Sequence, residues 1–126
     1  MNTKNATVLI IEDEKDLSDA LVTALTYEGF GARAAEDGEE GLAIAFKEKP
    51  SLILLDITMP KMDGLTVLRA LREDAWGKEV KVIVMTAHDD LGKVAEVIEA
   101  GGDEYVVKTD VTLSGIVAKV KEKLGM

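Results

Sequence analysis

The sequence has no cysteine, one histidine, two prolines and few aromatic side chains, only 4% of its 126 residues. Without cysteine there is no disulfide and no thiolate metal site. Long hydrophobic runs are missing as well, although apolar residues make up 47% of the chain. No stretch approaches a membrane span, and the N-terminus has no signal-peptide pattern. Positive charge is scarce: 15 Lys and Arg against 24 Asp and Glu leave a net charge of −9. That is the wrong sign for a nucleic-acid surface. No repeat, low-complexity tract or Ser/Gly/Pro linker divides the chain. The expectation is one cytoplasmic domain over residues 1–126, long enough for a full core and without an effector domain.

What the chain does have is short apolar runs alternating with helical spacing. Residues Met1 to Ala6 are polar and expected to be loose. Thr7 to Ile11 reads as a first strand, followed by Glu12-Asp13-Glu14. Leu17, Ala20, Leu21, Ala24 and Leu25 mark one face of a helix that Gly29 ends, with Phe30 just beyond. Gly31 to Ala35 is short enough for an edge strand. Asp37-Gly-Glu-Glu40 has capping-box character and opens a helix packing through Leu42, Ala45 and Phe46, ahead of Pro50.

The stretch from Leu52 to Gly64 organises the rest. Leu52-Ile-Leu-Leu55 is a strand buried on both faces, and it delivers Asp56 to its tip. After a loop with Pro60, Asp63 caps a third helix carrying Leu65, Leu68 and Leu71. Val80 to Met85 is a fourth strand, leading to Thr86. Leu91, Val94, Ala95 and Ile98 define the expected core face of a fourth helix, capped by Asp89 and Asp90 and closed by Gly101-Gly102. Glu104 to Val107 is a fifth strand ending at Lys108, and Leu113, Ile116, Val117, Val120 and Leu124 form the face of a last helix.

Five β-α repeats imply a parallel sheet covered by helices on both faces, with right-handed connections. In such a sheet every strand ends on the same edge. Glu12, Asp13, Asp56, Thr86 and Lys108 are therefore expected on one rim. Three carboxylates held together repel one another and call for a cation. Oxygen donors without His or Cys suit Mg²⁺, or Mn²⁺ in its place. With a lysine and a hydroxyl alongside, such a rim suits a phosphoryl group, and a central carboxylate can act as its nucleophile.

Four segments carry a resemblance to the receiver domain of two-component response regulators: Val8 to Glu14, Leu54 to Gly64, Thr86-Ala87 and Asp103 to Lys108. The resemblance implies the flavodoxin-like strand order 2-1-3-4-5. It implies that Asp56 accepts a phosphoryl group from a phosphohistidine on a sensor histidine kinase or phosphotransfer protein. It further implies that Asp13 and Asp56 bind Mg²⁺ directly, with the Thr58 backbone carbonyl, while Glu12 acts through water. Lys108 would hold one phosphoryl oxygen and Thr86 would move to bond another. Tyr105 would change rotamer with Thr86, so that the face of the fourth helix, fifth strand and fifth helix alters its affinity for a protein partner. Such a domain regulates, rather than turning over a free substrate.

One position departs from the pattern. Thr109 follows Lys108 where the family usually has proline with a cis bond, so a trans bond is expected here, cis before a non-proline residue costing about 3 kcal/mol. Other readings weigh against the site. His88 and Thr58 could tune attack of water on the acyl phosphate or simply face solvent, and Trp76 reads as a loop residue packing on a neighbouring helix. A pseudo-receiver that binds partners without phosphorylation would lack site residues, which this chain retains. A haloacid-dehalogenase-type phosphatase wants an Asp where Thr58 stands. A flavin module wants a Gly/Ser/Thr-rich loop where Glu12-Asp13-Glu14 would repel phosphate.

Overall fold

β-branched and leucine-rich runs become strands because both of their faces have helices to bury them. The computed structural model describes residues 6–126, without the side chains of His88 and Asp89. Residues 1–5 of the expected loose N-terminal stretch, the role weighed for His88 and the capping expected of Asp89 lie outside the described residues; Ala6, the last residue of that stretch, is instead buried, its carbonyl accepting from the Gly31 N–H at 3.0 Å. The chain runs β1 (Thr7–Ile11), α1 (Lys15–Tyr27), β2 (Gly31–Ala35), α2 (Gly38–Glu48), β3 (Leu52–Asp56), α3 (Gly64–Glu73) and β4 (Lys81–Thr86). A 3₁₀ segment, His88–Lys93, then leads into α4 (Val94–Glu99), β5 (Glu104–Val107) and α5 (Leu113–Lys123). All pairings are parallel, and the strand order is β2-β1-β3-β4-β5.

Alternate strand residues feed two separate cores, as the two-residue period of a strand requires. Leu9, Ile53, Leu55, Val82 and Val84 pack against α2, α3 and Val97 of α4. Val8, Ile10, Leu54, Ile83 and Met85 pack against Leu21 and Leu25 of α1 and Ile116, Val117 and Val120 of α5. Each fully buried aliphatic side chain contributes about 1.5–3 kcal/mol. No helix among the described residues is long and apolar enough to cross a membrane.

Helix ends follow local chemistry. Gly29, at φ 95°, ends α1, with its N–H donating to the Thr26 carbonyl and that of Phe30 to the Leu25 carbonyl. Asp37 and Asp63 cap α2 and α3, accepting from the N–H groups of Glu40 and Thr66 at 2.9 and 2.8 Å. Both caps hold their carboxyls below the usual range, chiefly through those backbone bonds. Glu40 does not close a full capping box: it reaches the N–H of Glu36, not that of Asp37.

The fourth helix differs from its expected form. Val97 is its buried residue, while Leu91, Ala95 and Ile98 lie at the surface. The cause is the 3₁₀ segment, which turns about 120° per residue instead of about 100°. Six such residues shift the apolar stripe by roughly a third of a turn relative to an α-helix begun at His88. Asp90 accordingly caps nothing: the residue before α4 is Lys93, which makes no side-chain cap. Trp76 packs edge-on against Phe46 of α2, ring centroids 6.5 Å apart.

Candidate functional site

β1 is followed outward by β2, and the chain returns across it to β3. The C-terminal ends of β1 and β3 thus flank the point where the strand order reverses, where open α/β sheets form a crevice. Glu12 and Asp13 follow the end of β1, and Asp56 closes β3. The register continues past the strand ends and fixes these positions. Glu12 N–H donates to the Ala35 carbonyl at 3.1 Å, Ile57 N–H to the Met85 carbonyl at 3.0 Å, and Lys108 N–H to the Thr86 carbonyl at 2.8 Å.

One carboxylate oxygen from each of Glu12, Asp13 and Asp56 lies within 4.8 Å of the others. Glu12 and Asp56 are buried and Asp13 is exposed, so the cluster is open on one side. The Lys108 ammonium sits 2.7 Å from Glu12 Oε1 and 3.4 Å from Asp56 Oδ2. No bond between Lys108 and Thr109 is cis, and the trans backbone still carries the ammonium into the cluster.

Charge is the dominant feature here. Burial, and then the neighbouring Glu12 charge, push the Asp56 carboxyl up to about 8, against the pull of Lys108 and the Thr58 N–H. For Lys108, burial pulls downward, but the Glu12 and Asp56 carboxylates outweigh it and the pKa is raised. Glu12 Oε1 is buried, and the Lys108 ammonium at 2.7 Å is the charge that compensates it. Three hard oxygen donors within reach of one point, with no nitrogen or sulfur among them, fit a divalent cation such as Mg²⁺.

The remaining residues sit around this cluster. The Thr58 N–H donates to Asp56 Oδ1 at 3.2 Å, and its hydroxyl points elsewhere, to Asp90 Oδ2 at 2.6 Å. Thr86 is buried, and its hydroxyl donates to the Ala87 carbonyl at 3.1 Å, not to the acidic cluster. Tyr105 pairs with Val84 through the sheet and leaves 39% of its surface exposed, outside the cluster.

Two contributions were not legible in the residues alone. Gly64 brings the start of α3 against the backbone of Asp56 and Ile57: a Cβ there would lie 2.4 Å from the Asp56 carbonyl oxygen and 2.6 Å from Ile57 Cα. Between them, Lys61 occupies the left-handed region at φ 67°, in a γ-turn closed by Met62 N–H and the Pro60 carbonyl at 2.8 Å. The glycine after a capping aspartate was the available signal for the first; nothing in the sequence marked the second.

Comparison with known proteins agrees with this geometry. A family model described as "Response regulator receiver domain" matches residues 8–121. The chain is 39% identical over 117 residues to "Transcriptional regulatory protein PrrA" of Mycobacterium tuberculosis, covering 93% of this chain and 49% of that protein. It spans less than half the length of the curated relatives it matches first. Among solved structures, a response regulator receiver domain protein (CheY-like) from Methanospirillum hungatei superposes with a TM-score of 0.88 at 30% identity, covering 95% of this chain and 94% of that one. Chemotaxis protein CheY4 of Vibrio cholerae gives 0.86 at 25% identity, covering 93% and 97%.

Proposed function

The chain belongs to the response regulator receiver domain family, and from that premise we propose that it accepts a phosphoryl group on Asp56. The donor is a phosphohistidine on a sensor histidine kinase or a phosphotransfer protein. The observation that carries the proposal is the meeting of three carboxylates and Lys108 at the end of β3. On this reading residues 1–126 form one cytoplasmic receiver unit, a regulator and not a turnover enzyme.

The transfer balances simply. An Asp56 carboxylate oxygen attacks phosphorus, the O–P bond forms as the P–N bond breaks, and the imidazole leaves with the electron pair. Asp13, Asp56 and the Thr58 carbonyl would hold Mg²⁺ or Mn²⁺, with Glu12 acting through water. The ion supplies positive charge for the crowded carboxylates and for the phosphoryl oxygens. Lys108 already lies against Asp56 and takes one phosphoryl oxygen. Thr86 exchanges the Ala87 carbonyl for another, and Tyr105 changes rotamer in response. The face of α4, β5 and α5 then alters its fit to a protein partner. Ile98 and Tyr105 supply exposed apolar surface there, next to Leu91 of the preceding 3₁₀ segment.

Incubation with acetyl phosphate and Mg²⁺, read by intact mass, tests the reading. Wild type is expected to gain one phosphoryl group, Asp56→Asn none, and Lys108→Met to gain it more slowly. No gain on wild type, or equal gain on Asp56→Asn, would end it.

A further inference from the structure

The segment that joins Thr86 to α4 has an uncommon backbone. His88–Lys93 is 3₁₀ for six residues. Runs beyond three or four residues are rare, and a 3₁₀ stretch joined to an α-helix often marks a hinge. Its surroundings hold it unequally. At the far end of α4, the Arg72 guanidinium donates to the Gly101 carbonyl at 2.7 and 3.1 Å, and the Gly102 N–H donates to the Val97 carbonyl at 2.9 Å. Between Leu91 and Ala100 only Val97 is buried, so little packing fixes the rest. At the near end one acceptor serves two donors. The Ala87 carbonyl takes the Asp90 N–H at 2.9 Å, which is the first 3₁₀ bond, and the Thr86 hydroxyl at 3.1 Å.

A 3₁₀ helix rises about 2.0 Å and turns about 120° per residue, an α-helix about 1.5 Å and 100°. Recast as α, the six residues would shorten by about 3 Å and unwind by about 120°. With the Gly101 end held, that displacement falls on Ala87 and Thr86. Once the Thr86 hydroxyl leaves for a phosphoryl oxygen, the Ala87 carbonyl loses one donor and can turn to the Leu91 N–H, its α-helical partner. We propose that residues 88–93 are a spring with two registers, 3₁₀ while Thr86 bonds the Ala87 carbonyl and α once it bonds the phosphoryl group, so that a phosphoryl group on Asp56 extends α4 at its N-terminal end. Gly92 sets the balance. A Cβ there would meet nothing within 4 Å, and its φ is not positive, so neither packing nor backbone requires glycine. Glycine does weaken an α-helix, by about fivefold relative to alanine, and so keeps the α register from prevailing before phosphorylation. This rests on the phosphoacceptor reading of Asp56 and adds to it the backbone device that carries the signal outward.

NMR of the full chain tests the spring, because a 3₁₀ helix brings each Hα near the N–H two residues on and an α-helix brings it near the N–H four residues on. Wild type is expected to show the first set of contacts over residues 88–93 when unphosphorylated, and the second under excess acetyl phosphate with Mg²⁺. Asp56→Asn is expected to keep the first set in both conditions. Gly92→Ala is expected to raise the α population of the unphosphorylated protein about two- to fivefold. By reciprocity it should also raise the phosphorylated fraction, read by intact mass at limiting acetyl phosphate. Wild type that gains the phosphoryl mass and keeps its 3₁₀ contacts overturns the spring while leaving Asp56 as acceptor. A Gly92→Ala segment that stays 3₁₀, or turns α without changing the phosphorylated fraction, overturns it as well. Absence of phosphoryl gain in wild type overturns the acceptor reading, and the spring with it.

Discussion

Asp56→Asn should make the cation-free protein more stable. The unfolded chain releases the Asp56 proton near the ordinary value of 3.8, whereas the fold retains it up to about 8. Between those values the native state binds more protons, so wild-type stability falls as pH rises from about 4 to 8 and levels off above. Each pH unit within that window costs about 1.4 kcal/mol, which sets a ceiling near 5 kcal/mol at pH 7.5. Asparagine has the same shape and no such proton to hold. It forfeits the Lys108 contact, a 3.4 Å pair with a partly exposed ammonium worth about 1 kcal/mol. The net expectation is a gain of about 2–4 kcal/mol at pH 7.5, growing by about 2 kcal/mol between pH 6 and pH 7.5. Urea unfolding in EDTA, followed by the fluorescence of Trp76, measures it. Added Mg²⁺ should narrow the gap, because an ion that binds the native acids stabilises wild type by mass action. A variant no more stable than wild type at pH 7.5 in EDTA, or a gap that ignores pH, would refute the account of a cluster strained by its own charge.

Two further outcomes follow from the backbone around the site. Gly64→Ala forces its Cβ into the Asp56 carbonyl, a backbone neighbour with no flexible end to give way. It should cost about 1–3 kcal/mol and slow the proposed phosphoryl gain from acetyl phosphate about tenfold; a rate within twofold of wild type would show that Asp56 tolerates the shift. At the opposite end of the sheet, the mostly buried Arg72 guanidinium donates to the carbonyls of Gly77, Val80 and Gly101 at 2.6–3.1 Å and to Asp103 at 3.1 Å. Arg72→Met strands those acceptors and should cost about 3 kcal/mol in urea unfolding without changing the acceptor site; a loss under 1 kcal/mol would mean that water replaces the clamp.

How far the residues alone reach is clearest where strand and helix signals are compared. β1 and β3 fall where their apolar runs stand, because a strand buried on both faces has no phase to misjudge, and the partly exposed edge strands β2 and β5 also lie where they were read. The fourth helix was misread, because its stripe was projected at a single α-helical pitch through a segment that is 3₁₀. Asp90 was assigned to a cap for the same reason. A capping acid and a bridging acid look alike in a sequence, and only the approach of the loop after β3 separates them.

The sequence by itself determined that acids, a threonine and a lysine end parallel strands, and parallel strands end on one edge. That much follows from periodicity and handedness, which are local properties of the chain. Only the tertiary structure decided that Lys108 pairs more closely with Glu12 than with Asp56, and that Thr58 turns its hydroxyl to Asp90. Those outcomes depend on ångström distances between residues far apart in the chain. Such distances are set by how the sheet and helices pack together, and no short window of residues encodes them.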